Sequence, residues 1–203
     1  MLLQVQGLSY RAGDLALFDR WSCRIGPGVT LLQGGEGCGK STLLRLLAGV
    51  QRADAGVLQI GAVPLDTQPD AYRAQVFLAD LRTDAFDKIT PLAYLASVQA
   101  RYPHFDAALV PSLIDGLSLA EHQHKPIYRL STGSRRKVWL AAAVACGAAL
   151  TLVDEPFAAL DKRSIVFVCE LLRATARRTG RAWILADYEP PEGVPLAGII
   201  ALG

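Results

Sequence analysis

The segment Gly34-Gly35-Glu36-Gly37-Cys38-Gly39-Lys40-Ser41-Thr42 constrains this chain more than any other. An apolar run, 29–33, stops at its glycines, and leucines at 43, 44, 46 and 47 follow it until Gly49. That order predicts a buried strand, a tight loop and a helix over 40–48. The spacing Gly34-x-x-x-x-Gly39-Lys40-Ser41 fits a phosphate-binding loop. Glycines let successive backbone N–H groups point at phosphate oxygens, and the helix N-terminus adds partial positive charge. Lys40 would reach the outer phosphates and Ser41 would ligate Mg²⁺. Glu36 is an odd residue for an anion cradle, and Cys38 reads as a small residue filling a tight turn.

The remaining chain frames that unit. A length of 203 residues suits one domain, or one domain with an inserted lobe. A net charge of +2 without a block of like charges gives no electrostatic case for nucleic acid as a partner. Cys23, Cys38, Cys146 and Cys169 have no C-x-x-C spacing and read as free thiols of a reducing compartment. The N-terminus lacks the pattern of a signal peptide. The longest uncharged run, 138–153, is shorter than the ~20 residues that span a bilayer, and it reads as a buried helix followed by a buried strand. A cytosolic protein, free to associate peripherally with a membrane, is expected.

Further strands are predicted at 75–80, 150–156, 182–187 and the final GIIALG, with a hairpin at 56–65 turning at Gly61. From 83 the pattern becomes helical: Thr90-Pro91 starts one helix and Asp106 caps a second. A long helix over 161–180 closes at Gly180. Alternating strands and helices predict an α/β fold around a mainly parallel sheet covered on both faces.

Two further stretches carry chemistry. Asp154 ends a buried strand, where it would hold a metal through water, and Glu155 beside it could polarise an attacking water. Ser131-Thr132-Gly133 opens a helix, a second N-terminus suited to an anion. With the phosphate loop about ninety residues earlier and Asp154 twenty later, the chain resembles the ATP-binding cassette (ABC) family, the nucleotide-binding subunits of ABC transporters. Leu130-Ser131-Thr132-Gly133-Ser134 stands where that family has its LSGGQ signature, keeping the serine and second glycine.

The resemblance covers the whole chain. It implies a P-loop NTPase core with a small antiparallel β subdomain. Residues 1–203 would form a single ATP-binding domain, with a helical subdomain inserted at about 83–135 that docks on transmembrane permease subunits. Tyr10 would stack on adenine. Ser131 and Gly133 would meet the γ-phosphate held by a second copy or paralogue, and Asp161 would reach toward that partner. ATP and Mg²⁺ are the implied cofactors. The compact length and DEPFAALD are similar to the haem-exporter ATPases of cytochrome c biogenesis, and no regulatory C-terminal domain is expected.

Two departures stand out. The family ends the 75–80 strand with a glutamine that contacts Mg²⁺ and water; Asp80 stands there, a carboxylate that can still serve Mg²⁺ beside Ser41 and Asp154, and Gln75 lies too early. It ends the 182–187 strand with a Thr-His pair, where this chain has Ala186-Asp187. His104, His122 and His124 all fall in the helical stretch, and His122 with His124 reads as a polar loop. An acceptor at Asp187 in place of a donor removes a preorganised contact worth ~3 kcal/mol. The expectation is ATP hydrolysis on Glu155 that is slow by family standards. The alternative is an ATP-gated regulatory module with little turnover.

Overall fold

The structure, a computed structural model, describes residues 2–80, 83–176 and 180–202. Strands β1 (Leu3–Ala12) and β2 (Leu15–Ile25) form a hairpin, and β3 (Gly28–Gly34) is the apolar run that feeds the glycine loop. Helix α1 (Lys40–Leu47) follows, then β4 (Ala55–Ile60) and β5 (Val63–Pro64), which turn at Gly61 as the sequence predicts. Helix α2 (Pro69–Arg73) leads into β6 (Val76–Ala79), which ends one residue before Asp80. Helices α3 (Pro91–Arg101), α4 (Val110–Gly116) and α5 (Thr132–Ala145) come next. The chain then alternates through β7 (Leu150–Asp154), α6 (Lys162–Ala176), β8 (Ala182–Asp187) and β9 (Leu196–Leu202). Part of the stretch expected to carry α6 to Gly180 lies outside the described residues.

Local signals explain most of these boundaries. Thr90 Oγ1 accepts the Ala93 N–H at 3.2 Å, with Pro91 in the first turn of α3. Asp106 also caps, accepting the Ala108 N–H at 3.1 Å, but the turn it starts is the 3₁₀ segment Ala107–Leu109. The α-helix itself begins only at Val110, where Pro111, lacking an N–H, suits the first turn.

The strands form two sheets. One is antiparallel in the order β2-β1-β4-β5, and the other is parallel throughout in the order β6-β7-β8-β3-β9. Helix α1 lies between them, with all four of its leucines buried. The pleat of β8 divides its side chains by parity: Ala182, Ile184 and Ala186 join the cluster around α1, while Trp183 and Leu185 face α5 and α6. The sheet is not covered on both faces at its β9 edge, where exposure alternates residue by residue and Ile199 is open. An edge strand has a neighbour on one side only, so its second face lacks the cover given to the central strands.

Parallel strands send their C-terminal ends to one edge of the sheet. The loops after β3, β6, β7 and β8 therefore converge, bringing together residues 34–39, 80, 154–155 and 187–188 from distant parts of the sequence.

Candidate functional site

The loop 34–39 is shaped for an anion. Gly37 and Gly39 have φ of 75° and 95°, left-handed values that glycine adopts without steric cost. Helix α1 has no acidic residue in its first turn and, unlike α3 and α5, which Thr90 and Ser131 cap, no side-chain cap. Its first N–H groups are thus left for a ligand. The Cys38 thiol packs inside the loop, 2.5 Å from where a Gly34 β-carbon would lie.

Lys40 is 7% exposed and bent back on its own loop. Its ammonium donates to the carbonyls of Gly34 at 2.7 Å and Gly35 at 2.8 Å. The Tyr188 ring stands over it with its centroid 4.4 Å away. Ser41 Oγ donates to Asp154 Oδ2, so a hydroxyl and a carboxylate oxygen already meet at the end of β7. Two hard oxygens in contact are the donor set that Mg²⁺ takes, and the residues present fit that ion.

Ser41, Asp154 and Glu155 form a wall between two cavities. One, of about 410 Å³, opens over the glycine loop and is lined by Glu36, Thr42, Lys40 and Tyr188 as well. The other, of about 270 Å³, lies toward β6 and α5 and takes in Asp80, Arg45, Thr132 and Arg136. Asp80 faces this second cavity and pairs with Arg45 at 3.5 Å.

Asp187 does not enter the cavity over the loop. Its Oδ1 accepts the Tyr188 N–H at 2.8 Å, and its side chain borders a separate depression beside Phe157 and Cys169. Burial pushes its carboxyl up, and Glu155 adds to this; the Tyr188 N–H, Lys40 and Arg136 act the other way. The side chain that β8 presents to the loop belongs to Tyr188, one residue on, whose carbonyl is held by Gln33 Nε2 at 2.8 Å.

Tyr10 is also outside that cavity. It lies opposite Phe18 on β1 and packs against the cluster around α1, and the apolar side chain that lines the cavity is Leu17. Ser131 and Gly133 sit at the exposed start of α5. There Ser131 Oγ accepts the Ser134 N–H at 3.1 Å, and Gly133 abuts the Ala159 carbonyl. Asp161 caps the start of α6 through the Ser164 N–H at 2.9 Å and takes Lys137 at 2.5 Å. Those bonds hold its carboxyl well below the usual carboxylate range.

Sequence reasoning missed Tyr188 and Arg136. Nothing in local pattern marks either, since Arg136 stands between Arg135 and Lys137 in the polar first turns of α5. Arg136 is 9% exposed, and its Nη1 donates to the Glu155 carbonyl. Burial lowers its pKa, and Glu155, Asp154 and Asp187 oppose that shift.

Comparison with known proteins matches this arrangement. The profile of the family described as "ABC transporter" fits residues 19–158. The cytochrome c biogenesis ATP-binding export protein CcmA of Pseudomonas syringae pv. syringae is 34% identical over 166 residues, covering 80% of this chain and 77% of that protein. The taurine import ATP-binding protein TauB of Yersinia pestis is 32% identical over 203 residues, covering 99% and 79%. Among solved structures, an ATP-binding subunit of an ABC transporter superposes with a TM-score of 0.82 at 22% identity, over 92% of this chain and 79% of that one. A putative ABC transporter ATP-binding protein from Pyrococcus furiosus gives 0.79 at 21%, over 100% and 98%. With a family profile across most of its length and two relatives above 30% identity, the chain belongs to the ABC transporter family, as an ATP-binding subunit.

Proposed function

We propose that this subunit binds Mg-ATP on the loop 34–42 and closes the site against Ser131 and Gly133 of a second copy or paralogue. It then hydrolyses the nucleotide slowly, driving transport through separate membrane subunits. The observation that carries the reading is the meeting at one sheet edge of an uncapped helix N-terminus, Lys40 and the Ser41–Asp154–Glu155 wall. Mg²⁺, when bound, would neutralise phosphate charge. Ser41 and Asp154 would hold it, Lys40 would turn from its own carbonyls to the outer phosphates, and Glu155 would accept a proton from the attacking water.

Slow turnover is favoured by the acids around the terminal-phosphate position. Asp80 stands beside the metal pair, and neither cavity is lined by an imidazole among the described residues. The exposed position of Ser131 favours a partner's nucleotide, since its own phosphate loop lies in a cavity it does not line. A depression of about 440 Å³ between β6 and α3 supports docking on a membrane subunit. Its floor is aromatic, with Phe77, Tyr94, Tyr102 and Trp139, and Arg73 and Arg101 line it as well. No helix among the described residues is long and apolar enough to cross a membrane, which suits a subunit placed peripherally on the cytoplasmic face.

Replacing Lys40 by alanine is expected to weaken ATP binding about 10- to 100-fold, the worth of a charge-assisted hydrogen bond. Equilibrium titration with a fluorescent nucleotide checks this, and unchanged affinity would remove the loop from the reading. Tyr188→Ala is expected to act oppositely. The ring holds Lys40 in its self-bonded position, and an exposed cation–π contact is worth ~0.5–1 kcal/mol. Freed of it, the lysine should bind ATP about two- to fivefold tighter in the same titration.

A further inference from the structure

We propose that Arg136 is a positioning residue for Glu155: it clamps the turn that aims the Glu155 carboxylate while leaving that carboxylate unpaired. The inference rests on the reading of Glu155 as the group that activates water. Its geometry does not depend on nucleotide.

Glu155 has φ of 45°, a left-handed conformation that costs a side-chain-bearing residue about 1–2 kcal/mol. Such a residue persists only where its surroundings hold it. Three bonds do so: the Glu155 N–H donates to the Ala186 carbonyl at 2.8 Å, the Glu155 carbonyl accepts from Arg136 Nη1, and the same carbonyl takes the Ala158 N–H at 3.3 Å within the turn. The first ties the turn to β8 and the second ties it to α5. The turn is fixed from both sides.

The choice of acceptor matters. Arg136 is buried beside three carboxylates, those of Glu155, Asp154 and Asp187, and their charge keeps its guanidinium ionised. Its hydrogen bond nevertheless goes to a main-chain oxygen. A carboxylate paired with arginine is a poorer base, because the pair favours its ionised form. No hydrogen bond or ion pair among the described residues reaches the Glu155 carboxylate. The buried Nε of Arg136 also has no partner among them, and Arg136 itself lines the cavity shared by Ser41, Asp154 and Thr132. The guanidinium therefore supplies positive charge and a spare donor next to the reacting region without neutralising the base.

Arg136→Met, which keeps the length and loses the donors, is expected to lower kcat about 100-fold, as for a lost preorganised donor, with ATP affinity unchanged within about twofold. Arg136→Lys is expected to recover most of kcat at neutral pH and to lose it as pH rises. A buried lysine releases its proton far more readily than arginine does, so wild type lacks that alkaline limb. A third readout needs no nucleotide: in Arg136→Met the Glu155 amide should exchange with solvent about tenfold faster, because its bond to Ala186 is no longer braced. If the wild type binds no ATP, the functional reading fails, and amide exchange still decides the clamp. A kcat within threefold of wild type in Arg136→Met overturns the proposal. So does unchanged Glu155 exchange, or a pH profile of Arg136→Lys that superposes on wild type. Should Arg136→Met fail to fold, the lysine variant's pH profile decides alone.

Discussion

Glu155→Gln is expected to lower ATP turnover by about 10³-fold while leaving Mg-ATP binding intact, the scale of a lost general base. The substitution is nearly isosteric and leaves the main chain untouched. The three bonds that hold the left-handed turn, to Ala186 and from Arg136 and Ala158, are made by backbone atoms of residue 155 and survive. The Ser41–Asp154 pair and Lys40 are likewise undisturbed. Only the capacity to take a proton is removed. If nucleotide closes two subunits on each other, a variant that binds ATP without consuming it accumulates in the closed form. Light scattering during gel filtration with Mg-ATP should then give twice the 21.8 kDa of one chain, falling to one chain when nucleotide is withdrawn. A variant that stays at single-chain mass with ATP bound would remove the second copy from the mechanism. Wild-type turnover in this variant would remove Glu155.

How much of this site could be read from sequence depended on whether a residue's direction is set locally. The shape of the glycine loop was legible because it lies in the backbone: glycine spacing and the following helix dictate where the N–H groups point, whatever the rest of the fold does. The caps at Thr90 and Asp106 were legible for the same reason, since a side chain bonding an N–H two or three residues away needs no tertiary partner, whereas Ser131 was read for an anion and its cap was not foreseen. The strands after the loop were legible as apolar runs, and their parallel order brought Asp154 and Glu155 to the loop.

Side-chain direction at strand ends was not legible. Successive strand residues point to opposite faces, so an error of one position reverses the answer. Asp187 was expected over the phosphates, and Tyr188 is the residue that stands over Lys40 beside the glycine loop, because the chain leaves β8 at Asp187 and the carboxylate turns back to cap the next N–H. Tyr10 presents a similar case. The pairing of β1 with β2 shifts register between Leu8 and Tyr10 and again between Tyr10 and Arg11. Each irregularity re-aims the side chains that follow, and alternation counted along the sequence cannot anticipate it. Arg136 was hidden for a different reason. Its partner is a main-chain carbonyl nineteen residues away, and no residue type marks a carbonyl as an acceptor.

That clamp depends on how α5 is joined to β7, and the join is the most sensitive point in the fold. Gly147 makes it, with φ of 70° and no room for a β-carbon, which would overlap the His104 carbonyl. The two residues before it are fully committed: Cys146 is buried at the end of α5, and the Asp106 N–H donates to the Ala145 carbonyl at 2.8 Å, pinning the 104–106 segment against the turn. Neither backbone can retreat without breaking a bond. Gly147→Ala should therefore pay twice, with about 1–2 kcal/mol for the left-handed conformation and a similar amount for displaced backbone. A loss near 3 kcal/mol in a chain of this size lowers Tm by about 6–12 °C. Gly61→Ala separates the two causes. Gly61 has φ of 57° but open space where the β-carbon would stand, so only the conformational cost applies and the shift should be about half as large. Equal shifts in the two variants would show that the contact with the 104–106 segment yields easily. A larger shift at Gly147, accompanied by faster exchange of the Glu155 amide, would tie the geometry of the α5–β7 corner directly to the turn that Arg136 holds.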